Sequence, residues 1–368
     1  MPESRLFKPL QVGNVTLQHR IALAPLTRFR ADDKHVPLPF VKDYYAQRGS
    51  VPGTLLVSEA TLISPQAGGY SSVPGIWSQE QIAAWKQVTK AVHENGSFIF
   101  LQLWALGRVA MPEELRKEGF KVKSASAVPA EDGAPVPEAM TQEDIQSFVR
   151  DFAQAGRNAI EAGFDGVEIH GANGYLVDQF LHDCSNQRTD DYGGSEVNRS
   201  RFAVEVVDAL VDAIGAKRVA IRLSPWSDFQ GMKIADPIPQ FTDIIEKLSQ
   251  KGLAYLHLVE PRVQGITDIE TSATLDFAVK AWNRASPLLL AGGYTPEIAR
   301  KVVDEERKDQ DIVVVFGRYF ISTPDLPFRL KHGLPLTPYD RSKFYNTGET
   351  SGYIDWPFSE EFTKDVKA

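Results

Sequence analysis

The sequence contains one cysteine, Cys184, among its 368 residues. A single cysteine excludes an internal disulfide framework, a four-cysteine zinc site and a cysteine-ligated iron–sulfur cluster. No apolar run approaches the roughly 18–20 residues that cross a membrane, and the first residues lack the apolar core of a signal peptide. We therefore expect a cytoplasmic protein with no membrane partner.

A strong charge of one sign is also missing. The chain has 40 basic and 48 acidic side chains, a formal net charge of −8. This balance argues against a nucleic-acid partner, although one local basic group could still hold a phosphate. Hydrophobic residues make up 43% of the chain, enough for a large packed core, and exclude global disorder.

Short apolar runs recur along the chain and are separated by helical patterns. Each run has the length and composition of a strand that is buried on both faces. The runs are Ile21–Pro25, Thr54–Ser58, Phe98–Gln102, Gly166–His170, Val219–Arg222, Tyr255–Val259, Leu288–Ala291 and Ile312–Gly317. Eight strands alternating with helices predict an α/β protein of the (β/α)8 TIM-barrel class. The alternative, a doubly wound sheet, would want a Gly-x-Gly-x-x-Gly turn after its first strand, and none follows Pro25.

Additions to a minimal barrel are also predicted. Residues 5–18 predict an N-terminal β-hairpin around Val12-Gly13-Asn14 that closes the barrel bottom. Residues 105–140 contain four prolines and predict an extended loop insertion after strand 3, of a length often found in lids. We expect residues 1–368 to form one domain, with the barrel over about 20–330 and a C-terminal extension over 331–368.

Two glycine-rich strand ends predict a phosphate site. TIM barrels bind ligands at the carboxyl ends of their strands, and the loops after strands 7 and 8 frequently hold phosphate. Here these ends are Gly292-Gly293 and Gly317-Arg318. Glycines let backbone N–H groups approach a phosphate, and a guanidinium can hold it with two parallel hydrogen bonds. Tight turns without a ligand are the alternative.

The end of strand 4 carries His170, Asn173 and Tyr175. A histidine and an asparagine can both donate to one oxygen and polarise a carbonyl, and a tyrosine is a protonated donor at neutral pH. A satisfied strand-end histidine beside an asparagine turn is the alternative. A metal is not expected, because Glu168 shares the face of His170 but no third ligand stands nearby.

Gln102 and Arg222 end strands 3 and 5. A carboxamide suits the amide edge of a heterocycle, and a lumen-facing arginine could stabilise an electron-rich ring. For Arg222 alone, an ion pair with Glu168 or Glu260 is the stronger interpretation. Ordinary packing is the alternative for aromatic residues near these ends.

As an ordered set, these segments resemble the old yellow enzymes, FMN-dependent ene-reductases, over nearly the whole chain. The similarity is strongest to the fungal branch, which includes chanoclavine-I aldehyde reductases. The matching stretches are 6–10 with His19-Arg20, Ala24–Arg28, Ile63–Tyr70, Phe100–Trp104, Phe164–Tyr175, Asp191–Gly194, Arg222–Pro225, His257–Pro261 and Phe316–Ser322.

The resemblance implies a role for each candidate residue. Contacts with FMN fall to Pro25, Leu26, Thr27, Ala60, Gln102, Arg222, Gly292, Gly293, Gly317 and Arg318. The substrate would contact His170, Asn173, Trp104 and Tyr353, and Tyr175 would be the proton donor. The implied reaction has two steps: NADPH reduces FMN, and flavin N5 then passes hydride to the β-carbon of an α,β-unsaturated aldehyde or ketone. The protein would act on small molecules as a monomer or homodimer.

Two alternatives in function remain at this point. Some ergot-pathway relatives replace the proton-donating tyrosine by phenylalanine and act as isomerases, whereas this chain keeps Tyr175. A flavin-free phosphate-binding lyase would usually want a Schiff-base lysine or metal ligands at the strand ends. None of the eight ends carries a lysine.

Overall fold

Eight parallel strands close into a barrel in the computed structural model, which describes residues 4–264 and 267–366. Each strand pairs with its neighbours in chain order, and the last pairs with the first through Val314 and Ile21. The strands are β1 (Ile21–Leu23), β2 (Leu55–Val57), β3 (Phe98–Trp104), β4 (Gly166–Gly171), β5 (Val219–Leu223), β6 (Tyr255–Val259), β7 (Leu288–Ala291) and β8 (Ile312–Phe316). The predicted TIM barrel is confirmed.

The helices follow the strands and cover the outside of the barrel. They are α1 (Val41–Arg48), α2 (Gln79–Glu94), α3 (Gln142–Glu161), α4 (Glu196–Ile214), α5 (Pro237–Ser249), α6 (Asp276–Trp282), α7 (Pro296–Lys301, continued by the π-helical Val302–Glu306) and α8 (Leu326–His332). Ser78 and Thr141 begin α2 and α3 with capping boxes, in which each side chain accepts from the backbone three residues on. Among the described residues, no helix is long and apolar enough to span a membrane.

The strand residues are almost all buried, as parallel strands covered by helices require. Apolar side chains fill most positions. Polar side chains occur mainly toward the carboxyl halves of β3 to β6: Gln102, Glu168, His170, Arg222 and His257. The barrel thus places its polar side chains at the end where TIM barrels bind ligands.

The N-terminal hairpin lies under the barrel, as predicted. Its strands, Leu10–Val12 and Val15–Leu17, are joined at Gly13, whose φ is 55°. A Cβ at Gly13 would lie 2.2 Å from the carbonyl oxygen of Lys217, just before β5. Only glycine allows the turn to come this close to the amino end of the barrel.

The insertion between β3 and α3 has structure of its own. It contains a short helix, Pro112–Lys117, and two two-residue strands, Lys123–Ser124 and Glu138–Ala139, which pair in parallel. Arg188 donates from Nη1 to the carbonyls of Ala125 and Met140 and so ties both sides of the insertion to the loop before α4. The extended insertion after strand 3 is confirmed; its action as a lid stays a prediction.

The residues beyond α8 run back over the carboxyl end of β1. Arg28 donates from Nε to the carbonyl of Phe344 and from Nη2 to that of Gly352, both at 2.8 Å. Arg48, fully buried in α1, donates to the carbonyl of Tyr353 at 3.1 Å. Buried guanidinium groups therefore hold this segment through its main chain.

Shorter elements complete the fold: helices Leu176–Leu181, Arg318–Ser322 and Glu360–Asp365, 3-10 turns Arg5–Phe7, Pro65–Ala67, Gly107–Val109, Ala216–Arg218, Phe229–Gly231 and Arg341–Lys343, and strands Thr61–Leu62, Val263–Gln264 and Thr267–Asp268.

Candidate active site

A cavity of about 390 Å³ opens at the carboxyl ends of β1, β7 and β8. This volume is within the range of small-molecule and cofactor sites. Eight predicted cofactor contacts line it: Pro25, Leu26, Thr27, Arg222, Gly292, Gly293, Gly317 and Arg318. Ala60 and Gln102, the other two, are buried and lie outside the lining.

The glycines after β7 form one corner of the cavity. Gly292 and Gly293 have φ values of 131° and 60°, a region that L side chains rarely adopt. A Cβ on Gly292 would lie 3.0 Å from the Cβ of Glu260, and one on Gly293 would lie 3.3 Å from Nε of Arg262. Glycine therefore leaves backbone exposed where a phosphate needs to approach it. Gly317 has an ordinary negative φ and ordinary space around it, so its identity is less restricted.

Two arginines stand beside these glycines. Arg318 donates to both carboxylate oxygens of Asp268, at 2.8 and 2.6 Å. Arg262 donates from Nε to the carbonyl of Gly292, while its buried Nη2 lies 4.0 Å from Oε1 of Glu260 and makes no hydrogen bond in the described chain. An anion at this corner would supply the partner for Arg262 and would share Arg318 with Asp268.

Glu168 is the centre of a buried polar network inside the barrel. It accepts hydrogen bonds from Nε2 of Gln102 at 2.8 Å, from the hydroxyl of Tyr255 at 3.0 Å and from Nδ1 of His257 at 2.8 Å. Burial alone would raise the pKa of Glu168, but His257, the charge of Arg222 and the bond from Gln102 outweigh it and lower that pKa. Glu168 is thus an ionised carboxylate with three donors.

Arg222 lies next to this network and makes no ion pair among the described residues. In the strand register it stands opposite His170 on β4 and His257 on β6. Its buried Nε has no hydrogen-bond partner in the part of the chain that the structure describes. The expected ion pair with Glu168 or Glu260 does not form between these described residues. Glu168 accepts from the three donors named above, and Glu260 accepts from the hydroxyl of Tyr294 at 2.7 Å. The guanidinium therefore faces the cavity, where a negatively charged ring would balance it.

His170, Tyr175 and Trp104 form one aromatic cluster next to Arg222. The ring centroids of His170 and Tyr175 are 4.8 Å apart, and those of Trp104 and Tyr175 are 5.0 Å apart. Burial, together with the nearby charges of Arg222 and His257, lowers the pKa of His170 well below its usual value. His170 is therefore neutral at pH 7, and its buried Nδ1 has no partner within the described residues. Burial raises the pKa of Tyr175, which stays protonated.

Asn173 follows His170 by three residues and has a left-handed backbone conformation. Its φ is 58°, in the left-handed region that asparagine tolerates better than most residues. Its N–H donates to Oγ of Ser224 at 2.8 Å, and its carbonyl accepts from Nε2 of Gln230 at 2.9 Å. With the main chain fixed on both sides, the half-buried carboxamide of Asn173 is left for a ligand.

The predicted contact at Tyr353 is not supported by its position. Tyr353 is completely buried and stacks on Tyr44, with ring centroids 4.1 Å apart. Its neighbour in the same segment, Tyr345, lines the cavity and packs edge-on against Phe29 at 5.8 Å. Both tyrosines follow α8, and the sequence pattern does not distinguish which of them points toward the barrel mouth.

Several residues of the site did not stand out in the sequence. Tyr255 and His257 complete the Glu168 network, and Arg262 and Asp268 line the cavity beside Gly292 and Gly293. Tyr255 and His257 could have been found from the sequence, because they alternate with apolar residues along β6. No comparable signal marked the loop that follows β6.

The fold and the site together define a barrel oxidoreductase that binds a flavin. The chain belongs to the NADH:flavin oxidoreductase / NADH oxidase family, which matches residues 5–337. It is an old yellow enzyme-type oxidoreductase, and FMN is its cofactor. The resemblance seen in the sequence is confirmed, and a flavin-free lyase is not favoured.

Relatives and solved structures are similar over almost their whole lengths. The chain is 57% identical over 366 residues to NADP-dependent oxidoreductase lnbE of Aspergillus flavus, covering 97% of each chain. It is 54% identical to chanoclavine-I aldehyde reductase fgaOx3 of Penicillium roqueforti, covering 99% of each. The old yellow enzyme from Pichia sp. AKU4542 superposes with a TM-score of 0.90 at 40% identity, covering 97% of this chain and 94% of that one. Morphinone reductase superposes with a TM-score of 0.89 at 39% identity, covering 98% of each.

Proposed function

We propose that the protein is an NADPH-dependent ene-reductase that reduces the C=C bond of small α,β-unsaturated aldehydes or ketones. The observation that carries this proposal is the packing of neutral His170 against protonated Tyr175, with Asn173 on the same strand end, next to Arg222, which lines the cavity. Binding FMN requires none of the first three residues, so their grouping points to a reacting substrate.

The cavity residues fit FMN. Gly292, Gly293 and Arg318 would hold the phosphate, with Arg262 beside them, and Arg222 would balance negative charge on the ring. Pro25, Leu26 and Thr27 form the wall above β1. Ala60 and Gln102 lie outside the lining of the cavity. We assign them to the edge of the flavin ring that would enter deepest into the barrel. When bound, FMN supplies the hydride chemistry.

The remaining steps belong to side chains of the protein. His170 and Asn173 donate to the substrate's carbonyl oxygen, and these hydrogen bonds strengthen as negative charge develops there. A neutral His170 suits this role, because a nitrogen that keeps its proton polarises the oxygen without forming a salt. Tyr175 then gives its hydroxyl proton to the α-carbon. Trp104 packs against both His170 and Tyr175 and limits their movement.

Retention of Tyr175 favours net reduction over isomerisation. The name of the NADP-dependent oxidoreductase lnbE supports NADPH as the reductant, and that of chanoclavine-I aldehyde reductase fgaOx3 supports aldehydes as substrates. We place the reaction in the cytoplasm, on small molecules, in a monomer or homodimer.

The test is an anaerobic stopped-flow experiment on the FMN-loaded protein. The flavin absorbance should bleach with NADPH and return with 2-cyclohexenone. Tyr175→Phe should be reduced at the wild-type rate but reoxidised by the enone about 10²–10⁴-fold more slowly, as expected for loss of a general acid. Tyr192→Phe is the matched control, because the Tyr192 hydroxyl bonds Glu205 on an outer helix. Wild-type reoxidation in Tyr175→Phe would refute the assigned proton donor.

A further inference from the structure

A second group of reactive side chains lies outside the proposed active site, after the helix Leu176–Leu181. His182 and Asp178 are both completely buried, and Nε2 of His182 lies 3.1 Å from Oδ1 of Asp178. The other oxygen of Asp178 accepts from the N–H of Gly174 at 2.8 Å. Asp178 is thus held in place and fixes the orientation of the imidazole.

Cys184 follows this histidine by two residues and is partly accessible. Its Sγ lies 3.6 Å from the carbonyl oxygen of Gly231. The second ring nitrogen of His182, Nδ1, is buried and has no hydrogen-bond partner in the described chain. A buried ring nitrogen without another partner is available to take the thiol proton.

A buried cation completes the surroundings of the thiol. Arg108 is 3% exposed and donates to the carbonyls of Gln230 and Gly231. Its Nε has no hydrogen-bond partner within the described residues, and its charge acts on Cys184.

The charges in this group favour an ionised thiol. Burial raises the pKa of Cys184, but His182, the backbone of Lys233 and the charge of Arg108 outweigh it and lower that pKa. Burial likewise lowers the pKa of His182, but Asp178 and Cys184 outweigh it and raise the value from 6.5 to about 9. His182 and Arg108 are the charged side chains that act on the thiol, and both carry positive charge.

We propose that Cys184 is a nucleophilic thiol that forms covalent adducts with α,β-unsaturated carbonyl compounds, with His182 as its base and Asp178 as the residue that orients His182. The thiol proton passes to Nδ1 of His182, and sulfur bonds to the β-carbon while the C=C π bond breaks. The electron pair moves onto the α-carbon and carbonyl, and the proton returns to the α-carbon. No oxidant or reductant is consumed, and the product is one thioether.

The site is separate from the proposed chemistry of FMN, although both use electrophilic alkenes. The adduct needs neither NADPH nor a reduced flavin, so it can be tested on the oxidised, FMN-loaded protein. Absence of enone reduction would therefore leave this proposal unaffected, and absence of the adduct would leave the proposed reductase unaffected.

The chain makes the experiment direct because Cys184 is its one cysteine. Intact-protein mass spectrometry follows the rate of adduct formation with N-ethylmaleimide and with 2-cyclohexenone across a pH series. The reference is Cys184→Ser/Ala83→Cys, which places a single thiol on the exposed face of α2. We expect the half-maximal pH of Cys184 labelling to lie about one unit or more below that of the reference thiol. One molecule of cyclohexenone should add to the wild type and none to Cys184→Ser.

The role of His182 is tested by His182→Gln. Labelling at pH 7 should fall about tenfold, and its half-maximal pH should rise to that of the reference thiol. If this variant fails to fold, the pH titration of thiolate absorbance in the wild type, minus that of Cys184→Ser, gives the same pKa without a buried substitution. A half-maximal pH at or above the reference value would overturn the proposal. So would labelling by the maleimide without any cyclohexenone adduct.

Discussion

Replacing Glu168 with glutamine tests whether the buried network at the centre of the barrel is held by a charge. The carboxylate accepts from three donors: Gln102, Tyr255 and His257. The carboxamide in Glu168→Gln has one oxygen and a donor NH2 group, so at least one of the three donors must face another donor. The variant therefore loses charge-assisted hydrogen bonds and leaves a buried polar group unpaired.

The loss should be large for a nearly isosteric change. The three donors are neutral, since burial lowers the pKa of His257, and leaving one buried polar group unpaired costs about 1–3 kcal/mol. With an unfolding entropy of about 2.1 cal/mol/K per residue over this chain, that loss lowers Tm by roughly 1–4 °C. Calorimetry of the FMN-loaded variant at pH 7 measures the shift. Glu161→Gln is the control, because Glu161 pairs with Lys86 on the surface and should change Tm by less than about 1 °C.

The pH dependence gives a second test with a definite sign. Because the folded-state pKa of Glu168 is lowered, its stabilising contribution is present above the ordinary value of 4.5 and is lost as the pH falls below it. The wild type should therefore lose stability more steeply than Glu168→Gln between about pH 5 and pH 3. A variant that melts within 1 °C of the wild type at pH 7 would refute a charged, three-donor Glu168.

Three further predictions concern groups around the cavity. Asp268→Asn removes the carboxylate that engages Arg318, so the apoprotein should bind FMN about fivefold more tightly, about 1 kcal/mol, in a fluorescence-quenching titration. Burial raises the pKa of Glu59 to about 7, so its ionisation penalises only the folded state, and the penalty grows as pH rises from 4.5 to 7. Glu59→Gln should thus gain up to about 3 kcal/mol at pH 8 and little at pH 4.5, measured by thermal melts. Tyr345→Ala should raise KM for the enone, whereas Tyr353→Phe should leave KM unchanged.

Each of these predictions has an outcome that contradicts it. Weaker FMN binding by Asp268→Asn would mean that the carboxylate orients Arg318 for the phosphate; Asp276→Asn, which loses a similar pair with Arg307 away from the cavity, is the control. Equal gains for Glu59→Gln at both pH values would show that the carboxyl titrates normally. A higher KM in the Tyr353 variant alone would restore the assignment made from the sequence.

The barrel was predictable because its strands are short and apolar throughout. A parallel strand covered by helices needs no alternation, so runs such as Ile312–Gly317 mark strands directly. The observed β8, Ile312–Phe316, ends one residue earlier. The strand ends then gave most of the cavity, because the carboxyl ends of all eight strands meet at one mouth. The residues that the sequence placed correctly at the cavity are those whose position follows from the closing of the eight strands into a barrel.

Contacts through long loops could not be predicted in the same way. Asp268 meets Arg318 across 50 residues, through a loop whose course no periodic pattern specifies. The choice between Tyr345 and Tyr353 depends on how the final segment is anchored. Arg28 and Arg48 fix it through main-chain carbonyls, which carry no sequence signal. The amino-acid sequence therefore shows that the final segment contains Tyr345 and Tyr353, but it does not show which of the two reaches the cavity.

The orientation of Arg222 shows how one part of the barrel determines another. An arginine near two glutamates is usually paired with one of them, and the sequence alone favoured that interpretation. In a closed barrel, inward side chains from alternate strands share a layer. Glu168 on β4 therefore meets Tyr255 and His257 on β6, and these donors, with Gln102, fill its lone pairs. Tyr294 similarly holds Glu260. With both carboxylates engaged elsewhere, the buried guanidinium of Arg222 gains most from an anionic ligand, which makes the Glu168 network a condition for the cofactor site.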